Sequence, residues 1–330
     1  MPTDEEKREI EVLTQAITLN PNSAAPYIAR GKAYYELEDY SKAIEDFTRA
    51  IEIDPDNAEA YKERGIPYFV LDDNSKAIAD YTRAIEIDPD DAEAYKERGM
   101  VYRMLDGNSE AIGDWTRAIE IDPNYAEAYK ERGVAYFALG DYSEAIADWT
   151  RVIEIDPNYA NAYGCRGESY AKLGDHAKAI EDYTKMIEFD PSYAHVYPDR
   201  GRSYAALGDH TKAIADYTRA IEIKPDITSA YIGRGKSYLA LGDHSKAIED
   251  FTRAIEIRSN NKKAYNNRGI SYHILGDYPK AIEDFTRAIE IDPDNAEAYA
   301  MRGASYEKLG DHAKAIADFV RTIKDYEQWW

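Results

Sequence analysis

The chain has 330 residues, 63 of them acidic and 41 basic, and so carries a formal charge of −22. That excess, with a pI near 4.7, argues against nucleic acid as a partner, because phosphates are repelled, while a hydrophobic content of 44% is too high for a disordered acidic chain. A single cysteine, Cys165, rules out an intrachain disulfide, and no run approaches the roughly 18 apolar residues of a membrane-spanning helix.

In chain order, Met1 to Glu6 are acidic where a secretory signal is basic and then apolar, so a cytoplasmic location is expected. Residues 1–23 read as a capping half-unit: Ile10, Leu13, Ala16, Ile17 and Pro21 stand where Ile44, Phe47, Ala50, Ile51 and Pro55 stand one unit later. The motif Tyr-x-x-Arg-Gly-x-x-Tyr then begins at Tyr27 and returns at Tyr61, Tyr95, Tyr129, Tyr163, Tyr197, Tyr231, Tyr265 and Tyr299, always 34 residues apart. Nine units follow: 24–57, 58–91, 92–125, 126–159, 160–193, 194–227, 228–261, 262–295 and 296–329. Length alone suggests two domains, but the unbroken repeat predicts one array.

Each unit reads as two helices, A and B. In 58–91, Tyr61, Gly65, Tyr68 and Leu71 recur at helical spacing on A, and Ala77, Ile78, Tyr81, Ala84 and Ile85 do so on B, which Pro89 ends. Asp56-Asn57-Ala58-Glu59, like Asp294-Asn295-Ala296-Glu297, reads as a capping box in which the Asp caps the first turn and the Glu reaches back. Between A and B, Leu139-Gly140-Asp141 offers a glycine for positive φ and an aspartate to cap B. One such pair buries too little surface to stand alone, so units must stack on their neighbours.

The aromatic, Gly, Tyr, Ala, aromatic, Ala, Pro series at a 34-residue period resembles the tetratricopeptide repeat family across 24–329. The resemblance implies an all-α, right-handed α-solenoid of nine tandem helix-turn-helix repeats plus the N-terminal half-repeat, with helix A lining a concave groove. One departure recurs. Where the family usually has Leu before the helix A glycine, this chain has Arg30, Arg64, Arg98, Arg132, Arg166, Arg200, Arg234, Arg268 and Arg302. One residue before the helix B aromatic stand Asp46, Asp80, Asp114, Asp148, Asp182, Asp216, Asp250, Asp284 and Asp318. A paired substitution on facing helices predicts a structural ladder of ion pairs; the other reading is a row of ligand-binding arginines.

The resemblance also implies which helix A positions face the groove. In the second to fourth units they include Lys62, Ile66, Phe69, Lys96, Met100, Arg103, Lys130, Val134 and Phe137, beside Glu59, Glu63, Glu93, Glu97, Glu127 and Glu131. An apolar stripe flanked by Glu-Lys-Glu rows suits a peptide with apolar anchors and some basic residues; otherwise the glutamates are caps and the lysines solvated. The sixth to eighth units offer His195, Asp199, Arg202, Lys236, Lys263, Asn266, Asn267 and His273, a mildly basic set suited to an acidic segment or a chain carboxylate. Lys236 and Asn267 fit two places of the clamp of chaperone-binding relatives, but Glu297 and Met301 stand where it needs Lys and Arg, which argues against chaperone tails. Pro67 and Pro198 each remove a backbone donor from helix A, and a kinked groove wall is expected.

The last helix B keeps Phe319 and Ile323, and the chain ends in Trp329-Trp330. This apolar end reads either as a frayed tail or as a surface for self-association. No phosphate loop, nucleophile elbow or zinc-protease motif appears. His176, His210, His244 and His312 share one repeat position, too far apart from unit to unit to hold one metal ion, and Cys165 reads as inert rather than nucleophilic. No catalytic residue, metal or cofactor is therefore assigned. The sequence reads as a non-catalytic scaffold binding protein or peptide segments, with neither nucleic acid nor membrane as partner. The alternative is a self-assembling or engineered array associating through its terminal helices.

Overall fold

The computed structural model describes residues 4–327, with side chains described for 5–322. Every regular element in this range is a helix: α1 (Asp4–Leu19), then the pairs α2 (Ala24–Glu36) and α3 (Tyr40–Ile53), α4 (Ala58–Val70) and α5 (Asn74–Ile87), α6 (Ala92–Met104) and α7 (Asn108–Ile121), α8 (Ala126–Leu139) and α9 (Tyr142–Ile155), α10 (Ala160–Lys172) and α11 (His176–Phe189), α12 (Val196–Ala206) and α13 (His210–Ile223), α14 (Thr228–Ala240) and α15 (His244–Ile257), α16 (Lys262–Ile274) and α17 (Tyr278–Ile291), α18 (Ala296–Lys308) and α19 (His312–Glu327). The even-numbered helices are A and the odd-numbered ones from α3 onward are B, in tandem helix-turn-helix repeats. None of the described helices is long and apolar enough to cross a membrane.

The helices form two compact units, 1–162 and 163–330. In the first, each helix from α1 to α8 packs on its successor, and α2 also touches α4, α4 touches α6, and α6 touches α8. In the second, α11 to α19 pack in sequence, with α12 on α14, α14 on α16 and α16 on α18. Among the described residues no comparable contact joins one B helix to the next. Within each unit the A helices therefore lie on the more tightly packed side.

Close packing of A on B explains the paired small residues. A Cβ at Gly65 would come within 2.8 Å of the Tyr81 ring, and one at Gly31 within 2.7 Å of Phe47. Opposite them Ala43, Ala77 and Ala111 are fully buried, with Phe47, Tyr81 and Trp115 filling the space between.

The turns show where local chemistry acts. Six A-to-B turns carry glycine at positive φ, for example Gly140 at 87°, but the first three carry Glu38, Asp72 and Asp106 at 60 to 63°, a conformation that costs an L-residue about 1 kcal/mol. Asp73 caps α5 by accepting from the Lys76 amide, and the Lys76 ammonium, 2.5 Å away, holds the Asp73 carboxyl below its ordinary range. Asp175, Asp209, Asp243, Asp277 and Asp311 repeat that arrangement.

Helix A is capped differently from the expectation. The cap is Asn57, not Asp56: its Oδ1 accepts from the Ala60 amide at 3.0 Å. Asn295, not Asp294, does the same for Ala298 at 3.1 Å. Only the residue directly before the helix has its side chain over the first-turn amides. Nor does Glu59 reach back; its carboxylate accepts from Lys32 of the preceding repeat at 2.7 Å. Pro67 is buried inside α4, which keeps the same 13-residue length as α6. Pro198 instead falls in the first turn of an 11-residue α12 that starts only at Val196; there an amide has no intrahelical partner to lose.

The arginines tie the stack together. Arg132 donates from Nε and Nη2 to the two Asp148 carboxylate oxygens at 2.9 and 2.7 Å, and from Nη1 to Thr116 Oγ1 of the preceding repeat at 2.9 Å. Its guanidinium lies 5.6 and 5.8 Å from the Tyr129 and Tyr136 ring centres. The two-pronged contact recurs for Arg30–Asp46, Arg64–Asp80, Arg98–Asp114, Arg166–Asp182, Arg200–Asp216, Arg234–Asp250, Arg268–Asp284 and Arg302–Asp318. Thr14, Thr48, Thr82, Thr184, Thr218, Thr252 and Thr286 likewise accept from the arginine one repeat on. Burial pushes the Asp148 carboxyl up against the pull of Arg132, while the hydrogen bonds Arg98 donates to Asp114 raise Arg98 despite burial.

Candidate functional site: the faces of the A helices

With one face of each A helix taken up by helix B and the arginine ladder, the opposite face is left for other contacts. In the first unit its lysines are neither free nor merely solvated. Lys62 reaches Asp91 at 2.9 Å and Glu93 at 2.7 Å. Burial lowers the Lys62 ammonium, but these two carboxylates outweigh it and hold it above its ordinary value. Lys32 joins Glu59 and Glu63 at 2.7 and 3.0 Å. Lys96 pairs with Glu97, Lys130 with Glu127 at 2.7 Å, and Arg103 with Glu131 at 3.2 Å. Lys130 also lies 4.9 Å from the Tyr159 ring centre.

The apolar residues of this face divide in two. Ile66 and Phe69 pack against the cluster of Ala77, Tyr81 and Val101, Met100 packs beside Trp115, and Phe137 meets Tyr142 edge-on at 5.3 Å. Val70, Met104 and Val134 stay exposed, Met104 at 64%. The exposed apolar side chains of this face are thus Val70, Met104 and Val134, on a wall of glutamates that outnumber their lysines.

The second unit is built differently. Arg202 and Lys236 line an open cavity of about 600 Å³ together with Arg258, Lys263 and the α14 start at Thr228 and Ser229. Asn267 is not part of that lining; its amide donates to the Lys263 carbonyl at 2.6 Å. Arg202 meets Asp199 at 3.1 Å. Burial pushes the Asp199 carboxyl up, with Arg202 opposing it. Gly233 occupies the place held in the first unit by Glu63, Glu97 and Glu131, and the Tyr217 ring lies so close that no Cβ fits there. Burial pushes the Tyr217 hydroxyl up to about 12. Arg258, Thr228 and Ser229 escape sequence reasoning because they sit at helix starts and in a turn, outside the helix A pattern.

Among the described residues no group of three His, Cys, Asp or Glu is placed to hold a metal ion. The four histidines each open a B helix, and the Nδ1 atoms of His176, His210 and His244 are buried without a partner. Burial pushes the Cys165 thiol up to about 11, opposite to the direction that activates a thiolate. On α19, Phe319 is half-buried, with its ring close beside Gly303, while Ile316 and Val320 are exposed. Ile323, Trp329 and Trp330 lie outside the residues whose side chains are described.

Family profiles match most of the chain. Tetratricopeptide repeat profiles match 160–193, 228–261, 263–295 and 285–317, and a TPR repeat profile matches 31–72, 68–106, 108–140, 133–174 and 201–242. No curated protein matches significantly. Among solved structures the chain is similar to YrrB, described as a TPR protein with an unusual peptide-binding site, at 27% identity over 57% of this chain and 96% of that one, with a TM-score of 0.50. It is similar in fold to part of a repeat protein from Cytophaga hutchinsonii, at 20% identity over 72% of this chain and 97% of the other (TM-score 0.60). It is also similar in fold to a tetratricopeptide repeat protein from Parabacteroides merdae, at 20% identity over 75% and 98% (TM-score 0.52).

Proposed function

The chain belongs to the tetratricopeptide repeat family, and from that premise we propose that it is a non-catalytic scaffold holding segments of partner proteins along the free faces of its A helices. The observation that carries this reading is the first-unit surface. Val70, Met104 and Val134 are exposed apolar side chains on successive A helices, set among glutamates whose lysines are already paired. Such a wall suits an extended segment that inserts apolar side chains and offers basic ones to the remaining carboxylates. The likeness to YrrB, a protein described as having a peptide-binding site, supports the same class of ligand. A preformed wall avoids ordering costs on the scaffold's side.

The test is selection of a random peptide library on the immobilised full chain and on Met104→Asp/Val134→Asp. Enriched peptides should carry apolar and basic residues and should lose most of their affinity for the variant. Equal retention by both proteins would refute the site. A second reading, self-association through the terminal helix, rests on exposed Ile316 and Val320 of α19. Light scattering across concentration separates the two, since only self-association makes the mass climb.

A further inference from the structure

Nearly every cation on the A helices of the first unit sits against a carboxylate, as Lys62, Lys96 and Lys130 do. In the second unit the rule is looser: among the described residues Lys172 and Lys308 each stand without a carboxylate partner, and in one place several such cations gather. Lys236, Arg258 and Lys263 line the 600 Å³ cavity, and among the described residues none has a carboxylate within ion-pair distance. Arg202 completes the set and is met only by Asp199, at 3.1 Å. Asp226 is the one carboxylate in the lining, and it pairs with none of the four. Three unpaired, exposed cations in one cavity concentrate positive charge in a chain of net charge −22, a local field that favours an approaching anion.

Two further features enlarge the positive region. Gly233 removes both the bulk and the negative charge that a glutamate gives the corresponding wall of the first unit. The α14 helix begins beneath Ile227, which supplies no side-chain acceptor, so the positive end of its dipole lies beside Thr228 and Ser229 in the lining. The cations are also dispersed. They come from α12, α14, α16 and the turn before α16, and successive A helices stand about 10 Å apart. One carboxylate cannot meet them all, whereas neighbouring acidic side chains on an extended chain can. The volume falls in the usual range for ligand sites.

We propose that this cavity receives an acidic peptide segment that presents two or more side-chain carboxylates to Arg202, Lys236, Arg258 and Lys263. The inference rests on the reading that A-helix faces bind peptides and names the ligand class for the second unit. A chain-terminal carboxylate is not required, and its contribution is removed in the test.

The probe is fluorescein-labelled hexaglutamate with an amidated C-terminus, followed by anisotropy on the full-length chain at low and at physiological salt. Wild type should bind saturably and more weakly as salt rises. Lys236→Glu/Arg258→Glu should bind at least about tenfold more weakly. The charge-matched control Lys185→Glu/Arg219→Glu, on the exposed faces of α11 and α13, should stay within about twofold. If the reversal variant melts early, Lys236→Gln/Arg258→Gln replaces it, with the same direction expected. Equal weakening by both double variants, or no binding by wild type, overturns the proposal. So does inorganic phosphate displacing the probe at concentrations where free glutamate does not, because the cavity would then be a phosphate site. A protein that enriches library peptides yet ignores hexaglutamate overturns this inference alone; one that does neither removes the reading beneath it.

Discussion

Replacing Arg132 by Met tests what the arginine ladder contributes. Arg132 makes three charge-assisted hydrogen bonds, two to Asp148 and one to Thr116, and the side chains of the pair are 15% and 4% exposed. Removing the arginine strands a carboxylate that burial already disfavours. Breaking one side of a buried pair costs about 3–5 kcal/mol; because the guanidinium edge reaches solvent, the lower end, about 3 kcal/mol, is expected here. Thr116→Val removes only the bond across the repeat boundary and should cost about 1 kcal/mol. Arg132→Met with Asp148→Leu removes both charges and should recover most of the loss. Urea unfolding provides the measurement, with Trp115 and Trp149 as buried fluorophores next in sequence to Asp114 and Asp148. Lys185→Ala, on the exposed face of α11, should change stability by no more than about 0.5 kcal/mol. If Arg132→Met unfolds at the same urea concentration as that control, or if the double variant is no better than the single, the ladder is not a structural tie.

Two further outcomes follow from the geometry. Gly113 lies inside α7 with nothing within 4 Å of its missing Cβ, so Gly113→Ala should stabilise by about 0.5–1 kcal/mol. Gly65→Ala drives a methyl group to 2.8 Å from the Tyr81 ring and should destabilise by about 1–3 kcal/mol; denaturant midpoints of opposite sign check the pair. The helix B caps set a pH dependence. Asp73, Asp175, Asp209, Asp243, Asp277 and Asp311 are held below the ordinary carboxylate range, chiefly by hydrogen bonds from the following lysines. A depressed folded value means the stabilisation is complete above the unfolded carboxylate value, near 3.9, and is lost as pH falls through the folded values. The circular-dichroism melting temperature should therefore drop on going from pH 5 to pH 2.5, and less so in an Asp→Asn series at these caps.

The helix pairs were legible in the sequence because tyrosine, glycine and alanine recur at 34-residue intervals with helical spacing inside each interval, a pattern that strands cannot produce. The third partner of the arginines was visible too, although only in hindsight: threonine recurs from Thr14 to Thr286 at the same period and gives way to Val320. A threonine within a helix carries no signal of its own until a guanidinium is seen beside it. Cap identity depended on a one-residue difference in where the helix begins, which Asp56-Asn57 leaves open. The pairing of Lys62 is not legible in the sequence, because its partners Asp91 and Glu93 lie 29 and 31 residues away on either side of the boundary between two repeats. The cavity of the second unit draws Arg258 and Asp226 from turns, where periodicity says nothing about facing.

Wherever the three-residue tie is seen, the arginine stands 16 positions after its threonine and 16 before its aspartate. Asp46 and Thr48 are two apart on one B helix, and they grip consecutive arginines, Arg30 and Arg64. Each junction therefore carries the same lock and key. Duplication or excision of any whole 34-residue block leaves every surviving junction matched, so such an array can lengthen or shorten by recombination without new compensating changes. A single inserted codon between a threonine and its arginine has no such immunity, because it shifts one partner of the lock while leaving the other in place.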